Sequence, residues 1–202
     1  MRRRTVLASG LAMVALAGCS NNWSVAYEQG LDSSITRAWR LNDVVIFVPD
    51  ELTVSNDNTF VPNADIVWHG DPYGDRKAQV SSILDEGISR GASVLRGRRP
   101  VNIAVSLRQF HSVTPAAVAR APSAVHNIEF IIEVRDAATG QTLNAPELIS
   151  ADLEAYVGAA AVTAAINGET QRKRIVTHLD AVTRGWLGLG DDQRRVFHSL
   201  GR

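Results

Sequence analysis

The chain has 202 residues, 21 of them basic and 21 acidic, and 45% of its side chains are hydrophobic. Balanced charge provides no strong field for a nucleic-acid backbone or an anionic surface, and nucleic acid is excluded as an expected partner. The apolar content excludes a largely disordered chain, and a single cysteine excludes a disulfide framework or a cysteine-based metal cluster.

Arg2, Arg3 and Arg4 precede an apolar run from Val6 to Leu16, which is followed by Ala17, Gly18 and Cys19. A charged start, a short apolar stretch and small residues before a break form the layout of a secretory signal. The run is too short to span a bilayer. Leu16-Ala17-Gly18-Cys19 resembles the lipobox of bacterial lipoproteins, in which the cysteine thiol is lipidated and becomes the new N-terminus. Residues 1–18 are then a cleaved signal peptide. Three of the 21 basic residues leave with it, so the mature chain carries about −3. Ser20, rather than Asp, follows the cysteine. In a two-membrane bacterium that directs the expectation to the outer membrane, facing the periplasm. The membrane partner is reached through the lipid, since no later segment is apolar enough to cross.

Residues 19–40 read as the lipidated cysteine and a tether, with Asn21, Asn22, Gly30 and Asp32-Ser33-Ser34 showing no sustained period. Trp23 and Tyr27 are candidates to rest at the membrane interface, and otherwise belong to the tether. Asp43 to Val48 is a β-branched run stopped by Pro49, the pattern of a buried strand. Turn residues fill 50–65, and Ile66-Val67-Trp68 is a short second strand or an edge.

Asp71-Pro72 is a helix-start pair, and Asp75 is a second candidate cap. Val80, Ile83, Leu84, Gly87, Ile88, Gly91 and Leu95 then share one helical face. Gly87 and Gly91 on that face predict close approach to a sheet, and Gly97 and Pro100 end the helix. Val101, Ile103, Val105 and Leu107 alternate with smaller or polar residues, as do Ile128, Phe130, Ile132 and Val134, then Ile149, Ala151, Leu153 and Ala155. These are three strands, each with one buried face. Asp136 to Gly140 forms the hairpin connection. Val157 to Asn167 reads as loop or frayed helix. Ile175, Leu179, Val182 and Trp186 mark a second amphipathic helix, with Trp186 packed in the core, and 189–202 is a polar tail.

The order β-α-β-β-β-α predicts an α+β two-layer sandwich over 41–188, with a mostly antiparallel sheet and both helices on one face. This topology brings Trp68, His69, Asp71, Asp75, His111, His126 and Arg172 to one end of the sheet. Arg96, Arg98, Arg99 and the Asp136–Gly140 turn lie at the other. Trp68, His69, Asp71, His111, His126 and Arg172 are the candidate binding cluster. Histidine with carboxylate suits zinc or proton transfer. No HExxH or paired ligand spacing accompanies them, so no catalytic residue, metal or cofactor is assigned. There is no G-x-S-x-G nucleophile motif. Arg96-Gly97-Arg98-Arg99 reads either as a solvated helix exit or as a contact for lipid phosphate or an acidic partner.

Asn63 to Pro72, Phe110 to Thr114, Asp136 to Gly140 and Gly168 to Arg172 resemble an uncharacterised family of proteobacterial envelope lipoproteins, a domain of unknown function. The resemblance runs over roughly Leu41 to Leu187 and implies a lipoprotein without implying an activity. The element order is also similar to small periplasmic lipoproteins that help assemble envelope machines, an analogy of fold only. The expectation is a non-enzymatic, lipid-anchored binding or assembly factor with an envelope protein as partner and no defined oligomeric state. Its alternatives are a carrier of a small apolar ligand, or a hydrolase or metalloenzyme acting on envelope material.

Overall fold

The computed structural model describes residues 22–196 and 198–200. The expected signal peptide, residues 1–18, and Cys19 lie outside the described residues. The strands are β1 (Asn22–Ala26), β2 (Trp39–Phe47), β3 (Val54–Ser55), β4 (Ile66–Val67), β5 (Arg99–His111), β6 (Ala124–Asp136), β7 (Glu147–Ala151), β8 (Leu153–Ala155) and β9 (His198–Leu200). The helices are α1 (Ser33–Thr36), α2 (Arg76–Ala92), α3 (Pro115–Arg120), α4 (Gly158–Ile166) and α5 (Gln171–Trp186).

The expected α+β architecture is present. β2 and β5 are parallel and joined through α2, while β5, β6 and β7 form an antiparallel meander. β5 and β6 dominate because alternation along their 13 residues, broken once in β5, buries every second side chain. Val101, Ile103, Val105, Leu107, Ile128, Phe130, Ile132 and Val134 face the helices and are almost fully buried. A bulge at Arg108 shifts the register between Leu107 and Gln109, so Phe110 rather than His111 continues the buried face.

The regions expected at the two chain ends need correction. Residues 22–40 are folded rather than a tether. β1 pairs with β7, α1 is capped by Asp32, and Tyr27 is buried in the core with its hydroxyl donating to Asp192. Tyr27 therefore does not rest at a membrane interface, and burial with the Asp192 carboxylate beside it pushes its hydroxyl up to about 12. The C-terminal stretch also returns to the fold, because β9 pairs with β1. Short, scattered apolar residues gave these segments no period, and distant partners order them.

α2 begins at Arg76, not at Asp71. Asp75 is its cap, accepting from the Ala78 N–H at 3.1 Å. Its two glycines meet α5 rather than the sheet. A Cβ on Gly87 would lie 2.6 Å from Leu179 Cβ, and one on Gly91 would lie 2.6 Å from both Asp180 O and Thr183 Cβ. The small residues let two helices pack side by side on the same face. Residues 158–166, read as loop or frayed helix, form the regular helix α4, with Val162 and Ile166 exposed.

Candidate functional site

Trp68 is fully buried, edge-on to Phe110 with ring centroids 5.8 Å apart. Burial of an indole N–H demands an acceptor, and Asp71 supplies one: Nε1 donates to Oδ2 at 2.9 Å. The same Oδ2 accepts from Arg172 Nη1 at 3.3 Å, while Arg172 Nη2 donates to Ser82 Oγ and Glu86 Oε2, each at 3.1 Å. Three of the expected cluster residues therefore come together as a chain that staples the loop before α2 to the middle of α2 and the start of α5. Each charge in that chain has at least one protein partner.

The three histidines do not converge. His111 pairs with Asn127 on the face of the sheet away from the helices, and its Nε2 lies 2.7 Å from the Ala64 carbonyl oxygen. His126, one residue earlier than Asn127, points to the helix face by the alternation of the strand. His69 sits apart beside Arg76, and burial with that guanidinium near it lowers its ring below the usual histidine range. Strand parity, which a one-residue bulge reset in β5, separates residues that chain order places at one end. Among the described residues no group of three His, Cys, Asp or Glu side chains is placed to hold a metal ion.

His126 has partners that the sequence did not suggest. Burial, reinforced by Arg174 and His178, holds its ring down at about 3; burial also takes His178 to about 4. Among the described residues neither ring nitrogen of His126 has a hydrogen-bond partner, nor do His178 Nε2, Ser112 Oγ and Gln171 Oε1. Of these residues His178 lines a cleft of about 300 Å³, together with Leu153, Glu169, Arg174, Thr177 and Ala181. Arg174 is held at its rim, stacked 3.5 Å over the Tyr156 ring and donating to the Glu154 carbonyl. The arrangement suits water or a small polar group; it lacks a nucleophile aligned with a base.

Asp152 is the second residue that spacing could not reveal. It interrupts β7 and β8 and accepts from Ser24 N–H (3.1 Å), the Asn127 amide (2.7 Å) and Ile128 N–H (3.3 Å). Burial pushes its carboxyl up to about 6 against the pull of these donors. It ties β1 to β6 and has no vacant direction for a substrate. Arg76, the first residue of α2, is similarly buried and holds the 56 and 71–72 loops through Asn56, Asp71 O and Pro72 O.

Among the described residues no helix covers the opposite face of the sheet around Val45, Phe47 and Leu148. The registers align Phe47, Ser106, Ile131 and Leu148 in a row across β2, β5, β6 and β7, with Val45, Ala104 and Glu133 in the next row. Phe47 is 60% exposed, Leu148 52% and Val45 49%. Beyond an isolated bridge from Arg40 to Arg96, the outer edge of β2 pairs with no strand among the described residues.

No curated protein matches the sequence. Among solved structures, a candidate lipoprotein of Caulobacter crescentus CB15 is similar at 11% identity, covering 78% of this chain and 90% of that one, with a TM-score of 0.36. PelC of Paraburkholderia phytofirmans, solved as a dodecamer, aligns at 9% identity over 81% of this chain and 98% of that one, with a TM-score of 0.36. A DUF330 protein of Xanthomonas campestris aligns at 10% identity over 81% and 93%, with a TM-score of 0.41. A family model matches residues 39–202, from the first residue of β2 to the C-terminus, and the chain belongs to that family of unknown function, DUF6778.

Proposed function

We propose that this chain is a lipid-anchored lipoprotein of the outer membrane that acts in the periplasm as a non-enzymatic binding or assembly factor for an envelope protein. The observation that carries this reading is the uncovered sheet face, where a row of Phe47, Ile131 and Leu148, interrupted by Ser106, crosses four strands and ends at the open edge of β2. An exposed row of this kind beside an unpaired strand edge offers a partner both apolar contact and main-chain hydrogen bonds. The lipobox-like Leu16 to Cys19 supports the anchor, and no described helix is long and apolar enough to cross a membrane.

The anchor would be short. Asn22 already begins β1, so Cys19 is at most about 10 Å from the folded sheet. β1 runs parallel to β6, which places its start at the end that carries His111 and His126. That end would lie against the bilayer, with the apolar row presented sideways to the periplasm.

A photo-crosslinking residue at position 47 or 148 in cells tests the partner. The same envelope protein captured from both positions, but not from position 138 in the far turn, is the expected result. No specific adduct at either position defeats the reading. The anchor is tested separately: a Cys19→Ser form should leave the membrane fraction after a carbonate wash.

A second reading, a hydrolase or metalloenzyme acting on envelope material, is favoured by the unpartnered nitrogens of His126 and His178. Near-stoichiometric zinc in protein purified without an affinity tag would favour it over the first.

A further inference from the structure

The end of the sheet farthest from β1's start carries an unneutralised group of arginines. α2 stops at Ala92, Leu95 drops into the core, and the chain then crosses the outer edge of β2. Gly97 makes the crossing: its N–H donates to Trp39 O at 2.6 Å, and a Cβ there would lie 2.1 Å from the Ala38 carbonyl carbon. Only glycine fits so close to another backbone. The crossing sets Arg96 directly opposite Arg40 as an antiparallel bridge pair, with Arg98 two residues on.

α5 contributes the facing wall. Gly188 has φ +69°, and a Cβ there would lie 2.4 Å from Leu31 O, so the loop after α5 presses on the segment leading into α1. Thr36 Oγ1 donates to Leu187 O at 2.9 Å and fixes Arg37, the next residue, beside that loop. The result is a cleft of about 470 Å³ lined by Arg37, Val94, Arg96, Gly188, Leu189 and Gly190.

Among the described residues none of Arg37, Arg40, Arg96 and Arg98 forms an ion pair, and none donates a side-chain hydrogen bond to protein. Their immediate neighbour Arg99 does, to Asp136 at 2.9 Å. Like charges placed directly opposite across a bridge are destabilising, so the Arg40–Arg96 pair works against the fold. Arginine guanidinium presents a planar fork of donors matched to phosphate oxygens. The N–H groups of Gly188 and Leu189 are already used by the Gly185 and Arg184 carbonyls, so recognition falls to the guanidinium groups.

We propose that this cleft is a binding site for a phosphate-class oxyanion, held by Arg37 and Arg96 and reinforced by Arg40 and Arg98. The inference does not depend on the partner reading, since the cleft and the apolar row are different surfaces. The source of the phosphate is either a soluble phosphoryl compound or a lipid headgroup. Twelve residue steps of β5 place the cleft about 40 Å from the sheet end nearest β1's start. A site so far from a short anchor favours the soluble source.

The test is calorimetric titration of the full chain in neutral-detergent micelles at low salt, with inorganic pyrophosphate as the probe. In a parallel arm, phosphatidylglycerol replaces pyrophosphate in the micelles. Saturable pyrophosphate binding is expected, weakening as salt is added. Arg37→Glu with Arg96→Glu should weaken it at least tenfold, and Arg37→Lys with Arg96→Lys severalfold. Arg135→Glu, on the open sheet face, should leave it unchanged. Circular dichroism confirms that each variant is folded. Binding confined to phosphatidylglycerol, with the same variant pattern, would sustain the site and assign it to a headgroup. No saturable binding in either arm, or equal binding by the Glu variant, overturns the proposal.

Discussion

The two ends of the sheet treat charge in opposite ways. At the end near β1's start, Asp71, Arg172 and Glu86 are joined to one another and to the buried Trp68 indole, and each charge has a protein partner. At the far end, Arg37 and Arg96 line a cleft, with Arg40 opposite Arg96 and Arg98 two residues on, and no carboxylate pairs with any of them among the described residues. A closed network of this kind holds elements in place and has little capacity left for a ligand. An open group of like charges adds nothing to the fold and keeps its donors free. The Trp68–Asp71–Arg172 network therefore reads as architecture, and the end that resembled a plain helix exit reads as the one with guanidinium donors to spare.

The sharpest way to break this comparison is to remove the anchor of the closed end. Trp68→Ala should destabilise the fold by about 3–5 kcal/mol, the range for large aromatic truncations in a core, read by chemical denaturation. Trp68→Phe should cost about 1–3 kcal/mol, because the Asp71–Arg172 pair loses only its indole donor. Were Trp68→Phe neutral, the network would not be structural and the end would regain its claim as a site.

Overfilling the α2–α5 contact comes next. Gly91→Val drives a side chain into Asp180 O and Thr183, and should cost about 1–3 kcal/mol. Gly140→Ala, where nothing lies within 4 Å but φ is +73°, should cost about 1 kcal/mol from backbone strain alone.

Acid should weaken the fold through His126 and His178. The folded state keeps His126 and His178 neutral down to about 3 and about 4, whereas an unfolded chain protonates near 6.5. Between those values the unfolded state binds more protons, so stability falls as pH drops below 6.5. Asp152, raised to about 6, acts in the other direction between 6 and 3.8 and offsets part of the loss. His126→Phe should flatten the decline in urea midpoint from pH 6.5 to 4.5; an unchanged slope would show that the pair does not control acid stability.

The smallest effect is expected at the open end. Arg96→Glu replaces a repulsive cross-strand pair with an attractive one, and should leave Tm unchanged or raise it by about 1–3 °C. A clear drop in Tm would mean that Arg96 serves the fold and would blur the contrast between the two ends.

Much of the framework was legible in the residue pattern. The alternation in β5 and β6 and the helical face of α5 are long periodic signals, and the buried residues are the ones that period named. Local chemistry named Asp75 as a candidate cap, yet the Asp71-Pro72 pair looked equally like a helix start, since nothing local tells a cap from a side chain needed by a distant indole. The meeting of Trp68, Asp71 and Arg172 followed from topology alone. The separation of His111 from His126 did not, because neighbouring positions at a sheet end fall on opposite faces once strand parity and a bulge are counted.

By itself, the sequence determined which stretches become the central strands and the two packed helices, because burial follows side-chain period and period is written in order. It also carried the lipobox-like start, which is a local string of residues. Only the tertiary structure decided that residues 22–40 and 198–200 are part of the sheet, that Gly87 and Gly91 serve a helix rather than a strand, and that His178 is the neighbour of His126. It alone brought Arg37 and Arg40 to Arg96, across more than fifty residues. Contacts of that kind depend on how distant surfaces close on one another, and no local pattern encodes which unpaired charges will be left facing the same cleft.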